Sequence, residues 1–479
     1  MSKVWCSWID GKEAGAAAPQ PAAPQPLTKP ATEDACAEVQ PAGPAEVEAA
    51  VAGAQKAFRG GWRDLAPGKR ATLLRSVAAG IRDHVEELAK LETMQMGKPI
   101  ADSRDEAGGA AGVFEYYAGA VTRLCGSTIP VSRGGFDYTL RQPMGVVAAI
   151  VPWNFPLLIA CWKVGPALAA GNTVVLKPAS LSPLTAIRLG QLASEAGLPP
   201  GVLQVLPGPG GSIGDALVGH PLVRKIALTG STEVGSHLMA MAAKDIKRVS
   251  LELGGKSPNI VFADADVDKA AATSPMSVFA NTGQDCCARS RVFVERRVFD
   301  RFVDAFVAAT KALKVGDPTD EATQVGPLVS AGQRGISETF LQEARAAGRK
   351  VLVGGDRPRP RGFYLNPAVV VGVEPSDRIW REEIFGPVVC IRPFDDEEAM
   401  LEEVNASPYG LSGSLWTNDL TRALRVASRV ESGVISVNCH NSVHTDAPFG
   451  GFKASGLGRD LGMEALANYT EVKNVYIAS

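Results

Sequence analysis

The chain has 479 residues, and at roughly 100 to 200 residues per domain that length implies two to four domains with sizeable cores. Lys plus Arg number 49 against 51 Asp plus Glu, a balance of 49 − 51 = −2, which excludes the positive field of a nonspecific nucleic-acid binder. Hydrophobic residues at 46% and charged residues at 21% exclude the composition of a disordered chain.

Eight cysteines are too sparse for a disulfide framework, and none stands in a CxxC unit suited to structural zinc. The N-terminal stretch with Lys3, Trp5, Cys6, Trp8 and Asp10 has no apolar run of signal-peptide length. A reducing, cytoplasmic location is expected, with neither membrane nor nucleic acid as partner.

In chain order, residues 14–44 are rich in Ala and Pro, with Pro19, Pro21, Pro24, Pro26 and Pro30, and predict an extended surface segment. From Pro44 to about Tyr117 the apolar residues recur every three to four positions, as in Val47, Val51, Ala54 and Phe58, which predicts helices. Residues 144–170 are apolar over more than the roughly 20 residues of a membrane span. Pro152, Pro156 and Pro166 interrupt that run, and Asn154 and Lys163 would lie unpaired in lipid, so a buried strand, turn and helix is predicted instead.

Short apolar runs then follow at 146–151, 173–176, 202–206 and 225–228, alternating with helical patterns at 184–195 and 213–218. This β-α-β-α-β order predicts a doubly wound parallel sheet with ligands at the C-terminal strand ends. A second set of strands at 259–262, 292–294 and 388–393, with a helix at 298–313, predicts a second α/β domain beginning near Gly254 and Gly255.

Several constellations carry chemistry. Vicinal Cys286 and Cys287 follow the turn at Gly283, where an exposed thiolate would be a nucleophile; two small buried hydrophobes is the plain alternative. Glu252 lies between Leu251 and Leu253, flanks that would raise its pKa by desolvation and suit it to base catalysis, unless it is a paired strand-end carboxylate. Asn154 is fixed between Pro152 and Pro156, either as an oxyanion donor or as a turn residue.

The segment Gly230-Ser-Thr-Glu-Val-Gly235 sits between a strand and a helix, where backbone N–H groups face a phosphate, although its spacing departs from the dinucleotide fingerprint. Lys177 at a strand end is placed to donate to a ribose hydroxyl. His440 and His444 fall in a loop, and no metal is assigned. A Ser/His/Asp hydrolase is not expected, on the ground that no Gly-x-Ser-x-Gly elbow is present.

Together these segments resemble the NAD(P)-dependent aldehyde dehydrogenase superfamily from about Pro44 to the C-terminus. The resemblance rests on Pro152-Trp-Asn-Phe-Pro156, Lys177-Pro-Ala-Ser180, Gly230 to Gly235, Leu251-Glu-Leu-Gly-Gly-Lys256, Gly283-Gln-Asp-Cys286, Glu383-Ile-Phe-Gly-Pro387 and Pro448-Phe-Gly-Gly-Phe-Lys453. It implies that Cys286 attacks an aldehyde, that Asn154 and the Cys286 N–H hold the oxyanion, and that Glu252 activates the water that releases a carboxylic acid. Cys287 is implied to be a bystander open to oxidation.

The resemblance further implies a cofactor cleft formed by Ile150, Val151, Pro152, Trp153, Lys177, Ser180, Gly210, Gly230, Ser231, Val234 and Leu253, with Glu383 and Phe385 at the nicotinamide end. Ser180 stands where many NAD-preferring relatives have Glu. NAD is favoured, and NADP remains open.

A substrate tunnel is implied at Phe155, Trp162, Asp285, Cys287 and Val443, suited to aliphatic or aromatic aldehydes. Asp285 and Asp446 would attract an aminoaldehyde, or Asp285 turns away to pair with Arg289 or Arg291. An NAD(P)-binding Rossmann-like domain (1–118 and 141–253), an α/β catalytic domain (254–445) and a small β arm with a C-terminal extension (119–140 and 446–479) are implied, in a homodimer or homotetramer. The rivals are a CoA-acylating or semialdehyde dehydrogenase, an esterase, and a catalytically silent NAD-binding relative.

Overall fold

The computed structural model describes residues 3–14, 23–440 and 443–478. Pro19 and Pro21 of the predicted extended segment lie outside the described residues. The rest of that segment departs from the expectation. Gln25–Thr28 and Ala35–Val39 pair antiparallel and join Val4–Trp5 in a three-stranded sheet. Leu27, Ala37 and Val39 are buried beneath it. The proline content masked an apolar alternation that only the sheet makes visible.

The first large sheet runs Gly456–Leu457, Arg248–Glu252, Val223–Thr229, Val146–Ile150, Thr173–Lys177, Leu203–Val205, Trp8–Ile9 and Lys12–Glu13. Its five inner strands are parallel. Val146–Ile150 and Thr173–Lys177 are buried at every position, as expected where both faces are covered and apolar runs are continuous. One face packs on the helices at 67–120 and 156–195, and the other on Pro44–Ala57 and Thr232–Ala243. The antiparallel outer strands come from distant parts of the chain.

The second sheet has the order Lys350–Val353, Ala368–Val371, Val388–Phe394, Arg291–Glu295, Pro258–Val261, Ser412–Trp416 and Val434–Val437. All its pairings are parallel except the first. A third, antiparallel sheet joins Thr470–Ile477, Phe136–Pro143 and Thr128–Ile129 into a projecting arm.

The apolar run at 146–170 is a buried strand, a turn, and the helix Pro156–Ala169, whose Pro156 stands at a position where its missing N–H costs nothing. Lys163 on that helix is fully buried yet paired, its Nζ 2.6 Å from Asp460 Oδ2. Among the described residues no helix is long and apolar enough to cross a membrane.

Candidate active site

The C-terminal ends of the inner strands of the first sheet open into a cleft of about 500 Å3 that extends to Cys286, Gln333, Glu383 and Phe385. Ile150, Val151, Pro152, Trp153, Lys177, Ser180, Gly210, Gly230, Ser231, Val234, Leu253, Glu383 and Phe385 all line it, together with Asn154 and Cys286. Burial pushes the Lys177 ammonium down to about 8, and its Nζ donates to Pro178 O at 2.9 Å. Ser180 Oγ donates to Gly208 O at 3.0 Å, so no carboxylate stands at that position. Ser231 caps the helix Thr232–Ala243 by accepting from the Val234 N–H, which turns the positive end of the helix toward the cleft.

Gln333 was not anticipated from the sequence. It lines the cleft, and its Nε2 donates to Ile384 O at 3.1 Å and to Phe385 O at 2.8 Å. These bonds hold Phe385 at φ +57, with its ring edge-on to Trp153 at 5.3 Å. The available signal was Ser330-x-x-Gln333, a helix-capping spacing, with Ser330 Oγ accepting from the Gln333 N–H. Glu383 Oε1 accepts from the Gly255 N–H at 2.8 Å, and burial lifts its carboxyl to about 7.

Cys286 follows three consecutive residues with positive φ, Asn281 at +50, Thr282 at +58 and Gly283 at +72. Only Gly adopts this region freely, and each other residue costs of order 1–3 kcal/mol unless its surroundings fix it. Asn281 Nδ2 donates to Asn154 O and Gln284 O, and Thr282 Oγ1 donates to Gly326 O. Gln284 closes the turn, with Nε2 donating to Asn281 O and Oε1 accepting from the Val329 N–H. A Cβ on Gly283 would lie 2.2 Å from Gly386 O.

The turn also sets the neighbouring groups. Asn154 Nδ2 donates to Gln284 O at 2.9 Å, which fixes the amide plane and leaves its second hydrogen uncommitted. The Cys286 N–H makes no hydrogen bond within the described chain. The adjoining Cys287 thiol, followed by burial, holds the Cys286 thiol well above its usual range.

Glu252 is buried, and both its carboxyl oxygens lack a hydrogen-bond partner. Burial raises its pKa well above the usual carboxyl range, and Asp460 adds to this while Lys163 and Arg459 oppose it. The expected cause needs correction. Leu251 and Leu253 face the opposite side of the sheet, in another core, as strand alternation requires. The desolvation comes instead from chain closing over Glu252, where a Cβ on Gly450 would lie 2.6 Å from Glu252 Oε1.

The residues assigned to the tunnel divide. Phe155 and Trp162 share one apolar cluster with Cys286, Cys287 and Phe449, and the Trp162 and Phe449 rings meet edge-on at 5.2 Å. Asp285 instead lines a second cavity of about 460 Å3 beside Arg289 and His440. Its carboxylate accepts from the Cys287 N–H at 2.9 Å. Arg289 donates to Ser414 and Cys287 O, and Arg291 to Lys256 O and Val404 O, so neither pairs with Asp285. Val443 is exposed, and residues 441 and 442 beside it lie outside the described residues.

The imidazole of His440 is held between Ser274 and Ser414, and burial pushes it down to about 3. The stretch Gly210-Gly-Ser-Ile-Gly214 does fit the Gly-x-Ser-x-Gly spacing, a correction to the expectation that no such spacing supports a hydrolase. Ser212 there is exposed and reaches only Pro209 O at 3.5 Å, with no histidine hydrogen-bonded to it.

The model of the aldehyde dehydrogenase family matches residues 18–475. The chain belongs to the aldehyde dehydrogenase family. It is 45% identical over 460 residues to betaine aldehyde dehydrogenase 1 of Oryza sativa subsp. japonica, covering 94% of this chain and 91% of that protein. The NAD+ complex of the aldehyde dehydrogenase from Bacillus cereus superposes with a TM-score of 0.96 at 40% identity, covering 99% of this chain and 97% of that one. An indole-3-acetaldehyde dehydrogenase complexed with NAD+ gives 0.97 at 41% identity, covering 99% and 97%. This aldehyde dehydrogenase is therefore an NAD(P)-dependent enzyme that oxidises aldehydes to carboxylic acids through a cysteine.

Proposed function

We propose that Cys286, Glu252 and Asn154 carry this reaction, with the cofactor in the cleft that Ile150 to Trp153, Lys177, Ser180, Gly230, Ser231, Val234, Glu383 and Phe385 line. The observation that carries this reading is the convergence of Cys286, Asn154 and every one of those residues on one cavity. A dinucleotide fits there. A Cβ on Gly254 would fall 2.1 Å from Glu383 Oε2, whereas Gly210 has nothing within 4 Å of its Cβ position, so the backbone leaves room at one end and a carboxyl stands at the other. NAD(P)+ bound there supplies the hydride acceptor.

The residues then act in order. Cys286 Sγ, its proton passed to water, forms a bond to the aldehyde carbon, and the electron pair of the C=O π bond moves onto the carbonyl oxygen. The uncommitted hydrogen of Asn154 Nδ2 and the Cys286 N–H stabilise that oxyanion. Collapse of the oxyanion expels the hydride and leaves an acyl thioester on Cys286. Glu252, as carboxylate, takes a proton from water, whose oxygen attacks the thioester carbon; the acid and the Cys286 thiol are released.

The substrate is an apolar aliphatic or aromatic aldehyde, because Cys286 packs against the apolar core that contains Trp162, Cys287 and Phe449, with Phe155 packed against the same core. An aminoaldehyde is the second reading, because the rice relative is named for betaine aldehyde, while Asp285 lines the other cavity and not the cleft that holds Cys286.

Absorbance at 340 nm with NAD+ or NADP+ and alkyl, aryl and amino aldehydes tests both readings; aryl and long alkyl aldehydes are expected to give the highest kcat/KM. A preference for amino aldehydes would replace the first reading with the second. The arm presents Phe136 and Ile477, cross-strand partners that are 52% and 53% exposed, and we propose that it joins copies into a homodimer or homotetramer.

A further inference from the structure

Three ionisable side chains lie deep in the first domain without touching the cleft. Glu92 is 0% exposed, Lys98 1% and Glu106 6%. Burying such groups costs several kcal/mol each before pairing recovers part of it, so what they hold in place matters. Glu92 Oε1 accepts from the Leu157 N–H at 3.0 Å and from Thr185 Oγ1 at 3.3 Å, and its Oε2 accepts from Gln95 Nε2. Glu106 accepts from the Lys98 ammonium. Lys98 Nζ stands 4.3 Å from the centroid of the Phe155 ring.

These contacts end on neighbouring residues. Phe155 precedes the helix Pro156–Ala169, Pro156 has no N–H, and Leu157 supplies the first free donor. The Glu92 carboxyl caps that donor at the positive end of the helix dipole, and the Lys98 ammonium, itself held by Glu106, lies against the aromatic ring of Phe155. Asn154 is the next residue back. Its carbonyl is held by Asn281 Nδ2, and the Trp153 carbonyl accepts from Ser182 Oγ at 2.9 Å. Trp153, Asn154, Phe155 and Leu157 are thus each anchored from outside their own segment; Lys98 and Glu92 supply the anchors on Phe155 and Leu157, and Glu106 holds the Lys98 ammonium.

We infer that Glu92, Lys98 and Glu106 are positioning residues for the reaction, holding the start of this helix so that the Asn154 amide points where the oxyanion forms. They touch no substrate and act through Asn154. The inference rests on the reading of Asn154 as the oxyanion donor.

The test is a double-mutant cycle read on the pre-steady-state burst of NADH. Lys98→Met keeps the length of the side chain and removes its charge. It is expected to slow the burst about tenfold, as loss of orientation at a reacting centre does, with the Kd for NAD+ unchanged. Asn154→Ala is expected to slow the burst about a hundredfold. The double variant is expected to be no slower than Asn154→Ala alone, because the brace has nothing left to aim. Glu92→Gln, which keeps an acceptor for the Leu157 N–H, is expected to retain most of the rate that Glu92→Ala loses.

Multiplying effects in the double variant, or an undiminished burst in Lys98→Met, would overturn the inference. If Lys98→Met does not fold, Glu106→Gln takes its place in the cycle under the same criteria. An undiminished burst in Asn154→Ala would instead overturn the oxyanion assignment itself, so the two failures are distinguishable.

Discussion

On the proposed reading, Cys286 and Glu252 have separable duties. Cys286→Ala is expected to abolish turnover while binding NAD+ with unchanged affinity, as read by calorimetry. Glu252→Gln is expected to keep the NADH burst and lose about 10²–10⁴-fold in the steady-state rate, the usual worth of a general base. Because burial raises the folded-state pKa of Glu252 above the ordinary value near 4.5, its carboxylate accumulates only as pH climbs past that raised value. Deacylation therefore rises with pH along a limb displaced upward from the ordinary carboxyl range, and Glu252→Gln should remove that limb. Ser180→Glu is expected to lower kcat/KM for NADP+ by about tenfold or more and leave NAD+ little changed, since a carboxylate there would repel a 2′-phosphate.

At this scale the sequence singles out candidate residues and is silent about what surrounds them. Motifs marked Cys286, Asn154 and Glu252, but the environment of Glu252 comes from Gly450, Lys163 and Asp460, some 90 to 210 residues away in either direction. Gln333 acts through backbone carbonyls, a role that side-chain chemistry alone does not advertise.

The turn before Cys286 is the most constrained short element. Gly283→Ala would add a methyl group at φ +72 against Gly386 O. The backbone cost alone is of order 1–3 kcal/mol. The expected outcome is a lower Tm together with at least a tenfold loss of kcat, because the turn carries both Cys286 and the carbonyl that fixes Asn154. Circular dichroism melts and burst kinetics would check the two effects separately.

Elements with strong periodicity were legible. The pattern at 184–195 coincides with the helix Leu184–Glu195, and the run at 388–393 with the strand Val388–Phe394. The strands Gln25–Thr28 and Ala35–Val39 were not legible, because their alternation is short and punctuated by proline, and tertiary pairing decides them. The pattern at 213–218 became the helix Asp215–Gly219 preceded by a π-helical turn at Gly210–Gly214, where glycines permit a wider path.

Across the whole molecule, buried acids couple folding to pH. The folded protein keeps protons on Glu92 up to about 8 and on Glu383 up to about 7, whereas the unfolded chain releases them above the ordinary value near 4.5. The native state thus binds more protons between those limits, and these groups lower stability as pH rises through that window. Denaturant unfolding at pH 6 should release protons to an indicator, and Glu92→Gln should reduce that release. For the arm, Phe136→Asp with Ile477→Asp is expected to yield a smaller species in sedimentation velocity, provided the second sheet and cleft still give a native melt.

The buried pair of Lys163 and Asp460 joins residues 297 positions apart. At a synthesis rate of roughly 5–20 residues per second, an interval of this length takes about 15 to 60 s. During that time the apolar helix carrying Lys163 has emerged, but the carboxylate that neutralises it has not been made. The strand of Glu252 likewise has an open edge until Gly456 and Leu457 pair with it. Active-site closure is thus a late event of biosynthesis, and a nascent chain must shelter its first sheet for about 15 to 60 s before it can become an enzyme.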